Sequence, residues 1–107
     1  MDAEEVLSKI NQAALKEASE LDLSGLGLKS LPPQVGNLTN LTFLDLEHNE
    51  LTALPSEIGY LTNLTGLGLA GNQLTRLPPE IVETLAHPRW RMHSVTFPKP
   101  WHNSLTL

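Results

Sequence analysis

The stretch Leu38–Tyr60, LTNLTFLDLEHNELTALPSEIGY, decides the fold because the chain repeats it. Moved forward by its own length of 23 residues, it matches Leu61–Glu83, LTNLTGLGLAGNQLTRLPPEIVE, and moved back it matches the chain from Ala18 onward. The aligned leucines are Leu21/Leu44/Leu67, Leu23/Leu46/Leu69, Leu28/Leu51/Leu74 and Leu31/Leu54/Leu77, and each copy then has a proline, Pro32, Pro55 or Pro78. A fixed period of this length predicts a solenoid in which each copy forms one coil.

Each coil is predicted to contain one short strand. Leu44 and Leu46 alternate with polar or aromatic residues, which is the period-2 pattern of a strand whose leucines point inward. Asn49 follows, where its side-chain amide can satisfy backbone groups of neighbouring coils. Pro55 then begins an extended turn, and Ser56–Gly59 predicts one helical or 3₁₀ turn on the convex side. Stacked coils place their strands side by side in a parallel sheet on the concave side.

Residues 1–19 predict an N-terminal capping helix. Asp2 is a suitable N-cap, and Glu5 lies three residues later in the capping-box position. An apolar stripe at helical spacing follows, made of Val6, Leu7, Ile10, Ala13, Ala14 and Leu15. Such a stripe could dock a partner or a membrane surface, but a solenoid needs a cover over its first core layer. The capping role is therefore the favoured interpretation.

Residues 20–85 are the three repeats, and residues 86–107 are predicted to be a degenerate fourth coil that caps the other end, with a frayed tail. When the period is extended, Trp90 takes the place of Leu67 and Phe97 that of Leu74. Large apolar residues there would shield the last core layer. The alternative is a flexible linker whose aromatic residues bind a partner. All three parts are predicted to form one domain.

The pattern LxxLxLxxNxLxxLPxxIxxLxxL, found from Leu41 to Leu64, resembles the leucine-rich repeats of Roco-type proteins and of the plant intracellular, Ras-group-related class. The resemblance covers roughly residues 18–85. It implies an α/β solenoid: a short horseshoe with a parallel concave sheet, an N-terminal helical cap and the degenerate C-terminal coil as the other cap. It also implies a scaffold for binding proteins. Leu26 stands where the pattern has asparagine, so the asparagine ladder is predicted to begin at Asn49.

The composition of the chain limits which partners and which cellular location are expected. The net charge of -5 argues against nucleic acid, whose phosphates need a basic face. No apolar run approaches the ~18 residues of a membrane span, so no membrane partner is predicted. The chain has no cysteine, and its first residues lack the basic-then-apolar order of a secretory signal, so a cytoplasmic protein is expected.

The sequence lacks the short motifs that are typical of catalytic or metal-binding sites. It has no phosphate-binding GxxxxGK[ST], no HExxH and no nucleophile elbow. The histidines of the tail, His87, His93 and His102, match no zinc spacing and have no cysteine beside them. We therefore predict no metal, no cofactor and no catalytic residue, and a protein that is not an enzyme.

The outward residues of the strands are the candidate binding site. Four predicted strands offer Glu20, Asp22 and Ser24; Phe43, Asp45 and Glu47; Gly66, Gly68 and Ala70; and Arg89, Arg91 and His93. The face would run from acidic, through a floor of bare backbone at the glycines, to basic. Glycines are poor strand residues, and a pair of them often marks the close approach of another backbone.

We predict that a protein or peptide binds across this face. The contacts would come from Glu20, Asp22, Phe43, Asp45, Glu47, Gly66, Gly68, Arg89, Arg91 and His93. Two alternatives remain open: the charges only keep the surface solvated, or the chain is a self-associating structural scaffold. An acidic end and a basic end are self-complementary under a two-fold axis, which permits a homodimer.

Overall fold

The computed structural model describes residues 2–85 and 95–96. Helix α1 spans Ala3–Leu15, and the strands are β1 (Glu20–Asp22), β2 (Phe43–Asp45), β3 (Gly66–Gly68) and β4 (Val95–Thr96). Two 3₁₀ helices, Pro33–Asn37 and Ser56–Tyr60, follow β1 and β2, and helix α2, Pro79–Leu85, follows β3. Among the described residues, a helical segment follows each of β1, β2 and β3, as expected for stacked coils.

The strands form one parallel sheet in the order β1-β2-β3-β4. Leu21 pairs with Leu44 and Leu44 with Leu67, so the first three strands keep the predicted 23-residue spacing. The inward leucines Leu44 and Leu67 are completely buried, because each coil hides its apolar side chains against the next. The parallel sheet and its register over β1–β3 are confirmed.

Asn49 joins neighbouring coils through their backbones, as the sequence predicts. The amide is buried, and its four shortest hydrogen bonds are those accepted by Oδ1 from the N–H groups of Leu26 (2.9 Å) and Leu28 (3.0 Å) and those donated by Nδ2 to the carbonyls of Leu23 (2.8 Å) and Leu46 (3.0 Å). Asn72 repeats the arrangement one coil later, where it accepts from the N–H of Leu51. Turns that leave the sheet thus keep their backbone groups satisfied inside the solenoid.

Helix α1 packs on the start of the solenoid. The Asp2 side chain accepts a hydrogen bond from the N–H of Glu5 (2.9 Å), which satisfies a backbone donor of the first turn. Val6, Ile10 and Ala13 are buried and join the same core as the leucines of the coils. Leu15, which the sequence places in the apolar stripe, is instead 86% exposed. Leu15 is five residues after Ile10, and each residue of an α-helix turns the chain by about 100°. Leu15 therefore points well away from the side of the helix on which Ile10 is buried.

The fourth strand lies at a different register from the predicted one. Val95, not Trp90, pairs with Leu67, and Thr96 pairs with Gly68. The third coil carries the seven-residue α2 where the second has a five-residue 3₁₀ helix. An α-helix rises about 1.5 Å per residue against about 2.0 Å in a 3₁₀ helix, so α2 spans a similar length with more residues and accounts for part of the shift. The strict 23-residue period is therefore wrong for the last strand.

Candidate functional site

The outer face of the sheet, which the sequence predicts to be concave, is called the concave face. It consists of the outward residues of β1–β3, the outward residues just after these strands, and Thr96 of β4. The register places Glu20, Phe43 and Gly66 in one row across the sheet. Asp22, Asp45, Gly68 and Thr96 form the next row. Adjacent members of a row lie on strands about 4.8 Å apart, so their side chains can touch.

Phe43 covers Gly66. The glycine is buried, and a Cβ added to it would lie 2.6 Å from Cδ1 of the Phe43 ring. The ring therefore lies across β3 in space that any larger residue at position 66 would fill. Phe43 itself remains 39% exposed, so the ring keeps a surface that is open to solvent.

Glu47 covers Gly68 in the same way. A Cβ on Gly68 would lie 2.9 Å from the Glu47 Cγ and 2.9 Å from Oδ1 of Asp45. Beyond the glycine, Thr96 Oγ1 donates to Oε2 of Glu47 (2.6 Å) and accepts from the N–H of Leu69 (3.0 Å). The Glu47 carboxylate is thus fixed between two strands.

These contacts correct the prediction of a bare backbone floor. Gly66 and Gly68 do mark a close approach, but the groups that approach are side chains of the neighbouring strand and of the turn that follows it. Side chains extend over β3 because glycine has no Cβ to hold them off. The surface that a partner would meet is therefore that of Phe43 and Glu47 rather than of exposed peptide groups.

A groove of about 420 Å³ lies on this face. Its lining is Glu20, Thr42, Phe43, Glu47, Thr65, Gly66, Leu67, Gly68 and Thr96. The outward charged residues of the described strands and the positions after them are four carboxylates, Glu20, Asp22, Asp45 and Glu47, with no basic side chain among them. This part of the face is therefore acidic and carries one exposed aromatic ring.

Asp22 is fixed by the residue two positions later. The Ser24 hydroxyl donates to Asp22 Oδ1 (2.6 Å), and the Ser24 N–H donates to the same oxygen (2.9 Å). These bonds favour the ionised carboxylate and lower the pKa of Asp22, with a smaller contribution from the positive charge of Lys9. Asp22 is therefore a carboxylate at neutral pH.

Replacing Ser24 with alanine is expected to raise the pKa of Asp22, because the hydroxyl is the largest cause of its lowering. A pKa lowered in the folded state stabilises the fold above the unfolded value and loses that contribution as pH falls through the folded pKa. The free energy of unfolding of the Ser24→Ala protein should therefore fall less as the pH is lowered through the pKa of Asp22. An NMR titration of the Asp22 carboxyl measures the change, with Ser30→Ala as the control. An unchanged Asp22 titration in Ser24→Ala would contradict the assignment.

The structure does not describe three of the predicted site residues. Arg89, Arg91 and His93 lie outside the described residues, and Thr96 holds the position next to Gly68 where the 23-residue period puts Arg91. The basic half of the face, and the homodimer that depends on it, therefore stay predictions. Sequence reasoning missed Thr96 because the longer third coil shifts its register.

Metal-binding clusters and membrane-spanning helices are not found in the described part of the chain. Within residues 2–85 and 95–96, no group of three or more histidine, aspartate or glutamate side chains could hold a metal ion. No helix in the same part of the chain is long and apolar enough to cross a membrane. The binding role of the placed site residues, from Glu20 to Gly68, stays a prediction.

Comparison with known proteins identifies a family and similar solved structures. The profile of the family described as "Leucine rich repeat" matches residues 16–80. A solved structure of a leucine-rich repeat protein from Leptospira interrogans is similar at 30% identity over 69% of this chain and 31% of that chain, with a TM-score of 0.33. The chain therefore spans less than a third of the length of that protein. No curated protein matches the chain.

Proposed function

Because the chain belongs to the leucine-rich repeat family, we propose that it is a non-catalytic module that binds a protein or peptide on its concave face. Domains of this family generally mediate protein–protein interaction and are generally not catalytic. The described strands form a parallel sheet, and solenoid repeat proteins commonly use the face of such a sheet for binding, which supports the proposal. The proposal concerns which residues of that face make contact.

The observation that carries the proposal is the exposed Phe43 ring lying over Gly66. Glycine is unfavourable within a strand, and here it leaves room for an aromatic ring that is 39% exposed on the face. Aromatic residues are enriched at protein interfaces and often supply much of the binding energy. Phe43 is therefore the expected anchor of the interaction.

Glu47 supports the same assignment. Its hydrogen bond to Thr96 holds the carboxylate in one place, which lowers the entropy lost when a partner orders it. Together the ring and the carboxylate make a preorganised surface beside a groove. We propose that Glu20, Asp22 and Asp45 extend this surface as a polar rim.

We further propose that α1 and the segment around β4 cap the two ends of one domain, with its parts at residues 1–19, 20–85 and 86–107. The burial of Val6 and Ile10 in the core of the coils supports the first cap, and the pairing of Val95 with Leu67 supports the second. A cytoplasmic location and repeats of the Roco-type or plant Ras-group-related class remain part of the proposal on the sequence grounds given above.

The experiment selects binders from a displayed library of random 12-residue peptides against the immobilised protein. Affinity is then measured for Phe43→Ala and for Asp45→Lys/Glu47→Lys. Each substitution should weaken binding by about tenfold or more, since it removes an anchor or reverses two charges. Tyr60→Ala and Glu50→Lys/Glu57→Lys make equivalent changes away from the concave face and should leave affinity within about twofold. If the concave-face variants and the control variants lose affinity equally, the concave face is not the binding surface.

A further inference from the structure

The groove brings an aromatic ring and a carboxylate close together. The Phe43 ring lies over Gly66 and the Glu47 side chain over Gly68, two residues further along the same strand. Two residues of strand span about 6.6 Å, so the ring and the glutamate side chain are roughly that far apart. Both border the same groove of about 420 Å³.

Among the described residues, the charged side chains that line the groove are both carboxylates. Glu20 lines the groove with Glu47, and Asp22 and Asp45 belong to the next row of the sheet. Several carboxylates on a concave surface attract a cation and repel an anion, which selects the partner by charge. An apolar segment of a partner would desolvate these carboxylates, and an acidic segment would be repelled by them.

A long cationic side chain fits both features. Its apolar stem can pack on a ring while its charged head meets a carboxylate, and a cation over an aromatic face gains additional attraction. Arginine suits the geometry better than lysine, because its planar guanidinium stacks on rings and has five donors for several acceptors at once. The hydroxyls of Thr42 and Thr65 donate to backbone carbonyls, so their oxygens remain as acceptors along the lining.

We propose that this groove is a subsite for an arginine side chain of the partner segment, stacked on Phe43 and paired with Glu47. The inference rests on the proposed binding function of the concave face and specifies what that face selects. Gly66 and Gly68 are positioning residues in this arrangement, because they allow Phe43 and Glu47 to extend over β3. Thr96 orients the Glu47 carboxylate.

The test uses N-acetyl-arginine amide as the probe and N-acetyl-citrulline amide, which has nearly the same shape without the charge, as its control. Backbone amide shifts of the protein are followed by NMR as each compound is added. The arginine compound should shift Gly66 and Gly68 and bind at least about fivefold more tightly than the citrulline compound. Equal binding of the two compounds would overturn the inference.

Substitutions at the groove test whether the arginine compound binds there. Glu47→Gln and Phe43→Leu should each weaken binding of the arginine compound by about fivefold or more, while Glu57→Gln on the other side of the solenoid should not change it. Glu47→Gln keeps the size of the side chain, so loss of charge is separated from loss of structure. If Glu47→Gln and Glu57→Gln behave alike, the arginine is not recognised at this groove and the inference fails.

Two further outcomes separate this inference from the proposed function. If selected 12-residue peptides depend on Phe43 but contain no excess of arginine, the concave face binds partners and the arginine subsite is wrong. If Arg89→Ala/Arg91→Ala tightens binding of the arginine compound about tenfold, the occupant is an arginine of this chain and not of a partner. Unchanged binding in that double variant, with arginine enriched among the selected peptides, is the result that we expect.

Discussion

Replacing Asn49 with alanine is expected to lower the free energy of unfolding by about 3–4 kcal/mol, because buried backbone groups lose their partners. The N–H groups of Leu26 and Leu28 and the carbonyls of Leu23 and Leu46 all bond to this one side chain at 3.0 Å or less. Each unsatisfied buried group costs about 1–3 kcal/mol, although water entering the space left behind reduces the total. Urea unfolding followed by far-ultraviolet circular dichroism measures the change.

Asn72→Ala is the matched control for this prediction. Asn72 is only half-buried, accepts from the N–H of Leu51 and donates to the carbonyls of Leu46 and Leu69, so it makes a similar set of bonds nearer to solvent. We expect it to cost about 2 kcal/mol, clearly less than Asn49→Ala. A loss below about 1 kcal/mol for Asn49→Ala would show that the ladder does not hold the coils together.

Replacing Gly71 with alanine is expected to cost about 3 kcal/mol, from backbone strain and overlap together. Gly71 has a φ of +76°, where side chains other than glycine are disfavoured by about 1–2 kcal/mol. A Cβ there would also lie 2.6 Å from Nδ1 of His48 and 3.1 Å from the His48 backbone nitrogen. The imidazole can rotate away, but the backbone of the preceding coil cannot move without disturbing its hydrogen bonds.

Gly25→Ala separates the two contributions. Gly25 occupies the same place in the first repeat with a φ of +65°, and a Cβ there would have nothing within 4 Å. It should therefore cost only the strain, about 1 kcal/mol. Chemical denaturation of both variants gives the comparison. If the two losses are equal, packing between the turns of the second and third coils contributes nothing, and only the backbone conformation matters.

His48 shows that the same turn recurs in each coil. It lies one period after Gly25 and one before Gly71, and its φ of +59° is in the same left-handed region. The sequence has glycine at two of these three positions, so a left-handed turn there is expected from the sequence. The packing of the His48 side chain and backbone against Gly71 could not, because it depends on how closely the coils stack.

The leucine period alone determined the main part of the fold. Inward leucines recur every 23 residues over the first three strands, and burying them requires the coils to stack in register, so Leu21, Leu44 and Leu67 align. Asn49 and Asn72 could be assigned in the same way, because each buried turn needs a side chain that both donates and accepts hydrogen bonds. These features follow from burial and from backbone hydrogen bonding, which the repeat imposes at each coil.

The tertiary structure alone decided the shape of the candidate site. The sequence identifies Phe43, Glu47 and the glycines as outward residues, but only the contacts across β2 and β3 show side chains lying over Gly66 and Gly68. The place of Thr96 also required the structure, because the third coil, which contains the longer α2, exceeds the 23-residue period and shifts the register of β4. Outward side chains are not constrained by the core, so their directions are set by neighbouring strands rather than by the repeat.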